Sequence, residues 1–341
     1  MRGRQVLIEP LPAGGHAAAL MVDGRLQDLL IDPGLGDATP RPEAIYRALP
    51  GRPMKGLGGA MVDLGGGQTG FLRGANLPVP GRPLLVQVAG WAEPGKAPPV
   101  TVRVVLKGRT ALLTPGAPGL NMARSLGDPA RRAALAALAE AAMAGAETNL
   151  GLILRSAAGT ADAEEITGEI AALRADWEAL EVAGTARELR SAPRAAAEAR
   201  REWADARTTV REAPRALEEA GVWEEVEALR QGRVPLGQGF MVVEPTRALV
   251  AVDVNTGADL SPAAPLKANL AAIAELPRQL RLRGLGGQVT VDFAPLTQAD
   301  RPRIEAALAA ALRSDGIDTT VAGWTPLGHL ELQRRRIRRP L

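Results

Sequence analysis

The hydrophobic periodicity changes twice along the chain, and these changes limit the possible folds more than any other feature. Between residues 46 and 106, short apolar runs alternate with Gly and Pro about every ten residues, which predicts an antiparallel barrel or sandwich. Residues 129–144 and 162–230 have helical spacing instead. Beyond residue 233, strands and helices alternate as in an α/β layer. The pattern predicts a mixed α/β protein with several subdomains.

The same patterns predict individual elements. The first forty residues predict three strands, at residues 6–8, 17–22 and 26–31. Pro277 lies within the longest predicted helix of the α/β region and removes one backbone hydrogen bond, so we expect a kink or a restart near Glu275. Residues 191–215 are the segment expected to be most mobile. The α/β region predicts strands at residues 240–244, 248–254, 288–293 and 319–322, and helices at residues 265–283 and 298–313.

Composition limits the chemistry. The 341 residues contain no cysteine and two histidines, which excludes disulfides, thiol nucleophiles, thiolate zinc sites and iron–sulfur clusters. Catalysis must therefore rest on carboxylates, hydroxyls, amides, Arg and Lys, and His329 is assigned to packing. No run of about 18 apolar residues and no signal peptide is present, so we expect a cytoplasmic protein without a membrane partner.

Two predicted strands end in the same way. Val250 to Asn255 (VAVDVN) and Val289 to Phe293 (VTVDF) each carry an aspartate after an alternating apolar run. If the strands are neighbours, Asp253 and Asp292 leave one sheet edge together and, with the Asn255 amide, offer the oxygen ligands that Mg²⁺ prefers. The alternative is that both aspartates cap turns at strand ends.

Basic and glycine residues lie between these two strands in the sequence. Arg278, Arg281 and Arg283 on the predicted helix, followed by Gly284 to Gly287, would place cations and backbone N–H groups near a phosphate chain. We therefore expect Arg278 and Arg281 to contact RNA or another phosphate ligand. The alternative is that the arginines face water and the glycines only stop the helix.

These segments carry a resemblance to a known family. Five segments resemble, in order along the chain, the catalytic core of the ribonuclease E/G family. They are EPTRALVAVDVNTG, NL, RQLRLRGLGG, VDF and the pattern G-x-L-E-L-x-R-x-R. LGLILRSA, from Leu150, resembles its 5′-sensor strand, and AMVDLGGGQTGFLRGANL, from Ala60, resembles its inserted S1-type barrel. The resemblance implies five regions: residues 1–40, the first RNase H-like segment; 41–106, an S1-like OB barrel; 107–190, a 5′-sensor region; 191–238, a shortened, helical second RNase H-like segment; and 239–341, a DNase I-like catalytic subdomain.

The resemblance implies a metal-dependent endoribonuclease that cuts single-stranded RNA to leave 5′-phosphate and 3′-hydroxyl ends. Asp253 and Asp292 would hold Mg²⁺, or Mn²⁺ in its place, and Asn255 would bond at the scissile phosphate or position the attacking water. Residues expected to contact RNA are Phe71, which would stack on a base, Lys96 of the same barrel, and Arg155 with Ser156, which would grip a terminal 5′-monophosphate.

The chain also departs from the family pattern. Without cysteine there is no zinc-link motif, so we expect no zinc, and a monomer or an assembly through surfaces other than a zinc-link. Met61 stands where the barrel has a second aromatic, and Asp318 where a supporting sensor arginine is frequent, which leaves 5′-monophosphate sensing open. The arginines of residues 334–339 either follow RNA backbone or form a solvated tail.

The sequence also fits two other functions. An RNA-binding maturation factor or scaffold with weak or no nuclease activity would bind RNA without metal-dependent turnover. A generic α/β protein that binds a phosphate ligand would bind nucleotides but not RNA chains.

Overall fold

The computed structural model describes residues 3–205, 207–237 and 239–341. It divides into two compact units, one formed by Met1–Asp32 with Val210–Leu341 and the other by Pro33–Thr209. Within the described stretches of the chain no helix is both long and apolar enough to cross a membrane. The two units are described separately below.

The described secondary structure consists of twenty strands, seven α-helices and two short 3-10 helices (Lys55–Leu57 and Ser156–Gly159). The strands are β1 (Arg4–Pro10), β2 (His16–Val22), β3 (Arg25–Ile31), β4 (Ile45–Pro50), β5 (Gly59–Gly65), β6 (Gln68–Arg73), β7 (Leu84–Val88), β8 (Pro99–Thr101), β9 (Leu106–Lys107), β10 (Ala111–Pro115), β11 (Gly119–Met122), β12 (Leu150–Leu154), β13 (Arg187–Arg190), β14 (Thr208–Glu212), β15 (Arg233–Leu236), β16 (Gly239–Pro245), β17 (Val250–Asn255), β18 (Gly287–Asp292), β19 (Thr319–Trp324) and β20 (Leu330–Arg334). The helices are α1 (Pro129–Ala142), α2 (Ala163–Glu178), α3 (Ala195–Trp203), α4 (Ala216–Glu219), α5 (Val222–Leu229), α6 (Ala264–Leu282) and α7 (Arg301–Asp315).

The unit of residues 33–209 contains a closed barrel of five strands. Its order is β4-β5-β6-β8-β7, and β7 pairs back with β4 to close it. Strands β6 and β8 are parallel, and β13 extends the sheet beside β4. Val62, Leu64 and Leu72 are buried inside because alternate residues of β5 and β6 face the interior. This OB-like barrel confirms the prediction of a small β-barrel in the first third of the chain.

The same unit holds a second sheet, of order β11-β12-β10-β9. Helices α1 and α2 pack on it through a shared apolar core that includes Leu113, Leu152 and Ile166. Asp128 caps the start of helix α1, because its carboxylate accepts hydrogen bonds from the backbone N–H groups of Ala130 and Arg131.

The segment expected to be most mobile, residues 191–215, contains helix α3 and strand β14; its Ala206 lies outside the described residues. Trp203 of α3 is 5% exposed and Ala199 is fully buried, so the helix is anchored by its apolar face. The helical spacing of residues 162–230 missed β13 and β14, because each forms by pairing with a strand far away in the sequence.

The unit of residues 1–32 and 210–341 is built on a six-stranded sheet of order β15-β16-β17-β18-β20-β19. Strands β17 and β18 are parallel, and α6 connects them. Helices α6 and α7 pack on one face of this sheet through a core that includes Val252, Ile273, Val291 and Ile304. A second sheet in this unit has the order β14-β1-β2-β3.

Helix α6 runs without interruption from Ala264 to Leu282 and includes Pro277. The predicted restart near Glu275 was therefore wrong. Leu276 and Leu280 are buried on either side of the proline, so packing against the sheet outweighs the loss of one backbone hydrogen bond.

Candidate active site

Asp253 and Asp292 lie side by side. They occupy equivalent positions in the parallel pairing of β17 with β18, and neighbouring strands of a sheet are about 4.8 Å apart. Val252 and Val291 face the helices, so the aspartates, one residue further along, point to the opposite face. Both side chains are exposed. The sequence-based expectation that neighbouring strands bring these carboxylates together agrees with this arrangement.

Asn255 and His329 flank the two aspartates. The Asn255 Nδ2 donates a hydrogen bond of 2.7 Å to Asp253 Oδ2, so the amide holds one carboxylate in a fixed orientation. The His329 Nε2 lies 3.7 Å from Asp292 Oδ1, although the sequence had assigned this histidine to packing. Each aspartate therefore has one polar neighbour on the open face.

An aromatic side chain lies on the same face. Phe240 pairs with Asn255 in the register of β16 with β17, and the Arg233 guanidinium lies 3.6 Å from the centre of its ring. Beside it, Gly239 leaves no room for a side chain, because a Cβ there would come within 2.4 Å of the Asn255 carbonyl oxygen. A cavity of about 340 Å³ opens next to Gly239 and is lined in part by Thr256, Asp259 and Lys267.

The oxygen donors on this face are hard ligands. Asp253, Asp292 and Asn255 offer carboxylate and amide oxygens, which suit Mg²⁺ or Mn²⁺. Within residues 3–205, 207–237 and 239–341, no group of three or more His, Asp or Glu side chains is arranged to hold a metal ion. Mg²⁺ is commonly bound through one or two carboxylates together with substrate phosphates and waters, so two aspartates fit this ion.

The barrel of the other unit presents an outward-facing apolar pair. Phe71 of β6 lies directly opposite Met61 of β5, and both side chains point away from the barrel core. The ring of Phe71 lies over Gly59, where a Cβ would come within 2.5 Å of its Cζ. Lys96, in the loop between β7 and β8, is 69% exposed and forms an ion pair of 2.5 Å with Glu93.

Arg155 directly follows β12 and is held by protein partners. Its Nη1 donates to the Gly108 carbonyl oxygen at 2.6 Å, and its Nη2 lies 2.5 Å from Glu202 Oε2. Ser156 follows at the start of a short 3-10 helix and is exposed. The two residues expected to grip a terminal phosphate are thus adjacent at the end of a buried strand.

Comparison with known proteins identifies the relatives of this chain. The profile of the Ribonuclease E/G family matches residues 105–199 and 185–337. The chain belongs to the ribonuclease E/G family. It is similar to ribonuclease E of Nostoc sp. (strain PCC 7120 / SAG 25.82 / UTEX 2576), with 25% identity over 94% of this chain and 54% of that protein. It is also similar to ribonuclease G of Salmonella typhimurium (strain SL1344) and of Escherichia coli (strain K12), with 36% identity to each over 29% of this chain.

The chain spans 22% of the length of these two ribonuclease G relatives and 54% of the ribonuclease E relative. Membership of the ribonuclease E/G family confirms the resemblance found in the sequence. The matched residues include Asp253, Asn255, Asp292, Arg155 and Ser156, whereas Phe71 and Lys96 lie outside them.

The arginine-rich motif of this ribonuclease E/G chain joins α6 to β3. Arg278 Nε donates 2.6 Å to the Leu26 carbonyl oxygen, and Arg281 Nη2 donates 2.8 Å to that of Gln27. Both side chains are largely buried, at 12% and 14% exposure. Their contacts in the structure are with the protein and not with solvent, and as RNA-binding residues they stay a prediction.

Two of the C-terminal arginines, Arg334 and Arg338, are not part of a solvated tail. Arg334 is 2% exposed, and its Nη2 lies 2.7 Å from Asp315 Oδ2. Arg338 donates to both carboxylate oxygens of Asp28. Burial lowers the pKa of Arg334 to about 10, so it remains charged at neutral pH beside its acidic partner. The solvated tail was therefore the wrong alternative for Arg334 and Arg338.

Sequence reasoning missed His329, Phe240 and Asn269 as members or supports of this site. Asn269 is fully buried in α6, donates 3.0 Å to the Ala294 carbonyl oxygen and accepts 3.0 Å from its N–H. These bonds fix the segment just after Asp292. A polar side chain within an otherwise apolar helical face was the available signal for Asn269.

Proposed function

We propose that the chain is a metal-dependent endoribonuclease that cleaves single-stranded RNA in RNA processing or decay. The observation that carries this proposal is the parallel pairing of β17 with β18, which places Asp253 and Asp292 side by side on an open face. Membership of the ribonuclease E/G family supports the choice of RNA as substrate. The cleavage would leave a 5′-phosphate and a 3′-hydroxyl.

The side chains of the site have separate tasks in this proposal. Asp253 and Asp292 would hold Mg²⁺ or Mn²⁺, which when bound stabilises negative charge on the phosphate under attack. Asn255 keeps the Asp253 carboxylate in one orientation through its 2.7 Å hydrogen bond. Phe240, with Arg233 over its ring, offers a surface on which a nucleobase next to the scissile bond can stack.

The barrel supplies binding in this proposal. Phe71 and Met61 form an apolar surface on the outside of β5 and β6, and base stacking on an aromatic ring is sequence-tolerant. Lys96 adds an exposed cation in the next loop of the barrel. An RNA molecule bound there would stay on the protein while another segment of the same RNA is cut.

A second candidate is an RNA-binding scaffold without turnover. The exposure of both aspartates favours it, because carboxylates in water need no metal to offset a desolvation cost. The two candidates differ in whether RNA is cut when Mg²⁺ is added.

The test is cleavage of a single-stranded RNA with Mg²⁺ by the wild type and by Asp253→Asn and Asp292→Asn. We expect each substitution to lower the rate by at least about 100-fold while RNA binding stays within about twofold. Glu244→Gln is the matched control, because Glu244 is on β16 opposite Ala251, on the same face but further from the aspartates. Wild-type protein that binds RNA and does not cut it would support the scaffold instead.

A further inference from the structure

The guanidinium of Arg155 is held along one edge only. Its end edge, Nη1 and Nη2, faces the Glu202 carboxylate, with Nη1 3.4 Å from Oε1 and Nη2 2.5 Å from Oε2, and Nη1 also donates to the Gly108 carbonyl oxygen. No residue of the described ranges is hydrogen-bonded to its Nε. A guanidinium carries five N–H donors in a planar fork, so the side edge formed by Nε and Nη2 stays available to a second bidentate acceptor.

Glu202 is itself fixed by a chain of ion pairs. Arg201 Nε lies 2.8 Å from Glu202 Oε1, and Arg201 Nη1 lies 2.8 Å from Glu43 Oε2. Glu43 in turn pairs with Lys107 at 2.9 Å. Glu202 is next to Trp203, the buried anchor of α3, so its position is set by both packing and charge.

The charge of Glu202 persists at neutral pH. Burial raises the pKa of its carboxyl group, but the hydrogen bond from Arg155 and the charges of Arg201 and Arg155 outweigh burial, and the pKa is lowered overall. An ionised carboxylate therefore faces the end edge of Arg155 under physiological conditions.

We propose that Glu202 is the positioning residue of a terminal-phosphate site: it holds the end edge of Arg155 and thereby aims the free Nε–Nη2 edge at the 5′-monophosphate of an RNA. The inference rests on the proposed function, which makes RNA the ligand. The side chain of Arg155 is 24% exposed, so a phosphate can reach the free edge. The exposed hydroxyl of Ser156 supplies a further donor next to it.

Recognition of the phosphate in this way depends on the two parallel donors of the guanidinium and not only on its positive charge. A lysine at position 155 would keep the ion pair with Glu202, but its ammonium has no second edge with two parallel donors. Loss of Glu202 would leave Arg155 charged but held by the Gly108 carbonyl oxygen alone, so the side chain would be less ordered and the phosphate would bind at a higher entropic cost.

The test compares the affinities of two short RNAs of one sequence, one with a 5′-monophosphate and one with a 5′-hydroxyl, in metal-free buffer so that neither is cut. For the wild type we expect the 5′-monophosphate RNA to bind roughly tenfold more tightly, the size of one charge-assisted contact. In Glu202→Gln, which keeps the side-chain shape, we expect this ratio to fall below about threefold, with the affinity for the 5′-hydroxyl RNA unchanged.

Further variants complete the experiment. Glu140→Gln removes an exposed carboxylate from α1 and must leave the ratio unchanged. Arg155→Lys must lower the ratio to about one, because it removes the second edge of the guanidinium. Glu202→Asp, which keeps the charge but shortens the side chain that holds Arg155, takes the place of Glu202→Gln if the latter does not fold, and it must lower the ratio in the same way. The inference is overturned by a wild-type ratio near one, by a ratio that survives Glu202→Gln or Arg155→Lys, or by an equal loss of affinity for both RNAs in Glu202→Gln.

The inference and the proposed function can fail separately. A ratio near one, together with RNA cleavage that depends on Asp253, would overturn the inference alone. The expected ratios in a protein that never cuts RNA would overturn the proposed nuclease and leave the phosphate site standing.

Discussion

A single neighbouring side chain lies next to each of the two candidate carboxylates, and only one of the two neighbours makes a hydrogen bond. The amide of Asn255 donates to Asp253, whereas His329 approaches Asp292 at 3.7 Å. Because Asp253 and Asp292 are exposed, water competes for both, and a fixed neighbour is what keeps a carboxylate in one orientation. A substitution of Asn255, which holds the Asp253 carboxylate, should therefore affect cleavage as a substitution of the carboxylate does.

Asn255→Ala should lower kcat for RNA cleavage by about 10- to 100-fold, with little change in KM, because it frees the Asp253 carboxylate without removing it. Steady-state cleavage of a single-stranded RNA measures both constants. Asn121→Ala, on an exposed position of β11, is the matched control. An unchanged kcat in Asn255→Ala would show that the hydrogen bond has no part in cleavage.

Phe71→Ala should weaken binding of single-stranded RNA by about 1 to 3 kcal/mol, because the stacking surface on the barrel is lost. The barrel should remain folded, since the side chain points outwards. Val79→Ala, at a residue that is 63% exposed in the same unit, is the control for loss of an apolar surface residue. Fluorescence anisotropy measures the affinity of each variant for the RNA. Equal affinities of Phe71→Ala and Val79→Ala would show that Phe71 does not bind RNA.

At the scale of elements, the position of a strand end is set by the helix that precedes it. Helix α6 connects β17 to β18, is joined to β3 through Arg278 and Arg281, and fixes the segment after β18 through Asn269. Its long basic motif therefore stabilises the unit that carries the aspartates. The contacts in the structure thus give this motif a positioning role next to the candidate site.

Asn269→Ala should lower the free energy of unfolding of its unit by about 2 kcal/mol, because the backbone N–H and carbonyl of Ala294 lose their buried partners. Urea unfolding, followed by tryptophan fluorescence to which Trp223 and Trp324 of this unit contribute, measures the change. RNA cleavage should fall as well, since the segment after Asp292 is loosened. Stability equal to the wild type would contradict the assigned role.

The sequence predicted the elements whose patterns are local. Strands β17 and β18 and helices α1 and α6 agree with the alternation and helical spacing of their residues within a few positions. β20 was missed although its apolar residues alternate and it pairs with the nearby β19. β13 and β14 were missed because they are short and form only by pairing with distant strands. The partners of Arg278 and Arg334 were missed for the same reason, since buried ion pairs depend on which distant segments meet.

At the scale of the molecule, the candidate chemistry lies in one unit and two of the candidate RNA contacts, Phe71 and Arg155, lie in the other. Asp253 and Asp292 belong to the unit with the six-stranded sheet, and Phe71 and Arg155 belong to the unit with the barrel. From the sequence, the pairing of the aspartates could be predicted only on the condition that their strands were neighbours. The environment of Arg155 could not be predicted, because Glu202 is 47 residues away along the chain.

The barrel-containing unit should lose stability in acid. The pKa of Glu43 is lowered below 4.5, because the hydrogen bonds and charges of Arg201 and Lys107 outweigh burial, which alone would raise it. A lowered pKa in the folded state contributes stability above pH 4.5 that is lost as the pH falls through the folded-state value. Glu43→Gln should therefore be less stable than the wild type at about pH 7, and the difference should shrink towards about pH 3.

Thermal unfolding across this pH range measures the difference, with Glu140→Gln as the control, because its carboxylate is exposed. A difference between Glu43→Gln and the wild type that stays constant with pH would show that the charge of Glu43 does not stabilise the unit.

The most direct test of the central claim uses a single-stranded RNA that is chemically blocked at both ends, so that only internal cleavage can shorten it. With Mg²⁺, the wild type should convert it to shorter fragments, and Asp253→Asn should bind it and leave it intact. An RNA that stays whole with folded wild-type protein, or one cut equally well by Asp253→Asn, would contradict a nuclease site at the paired aspartates.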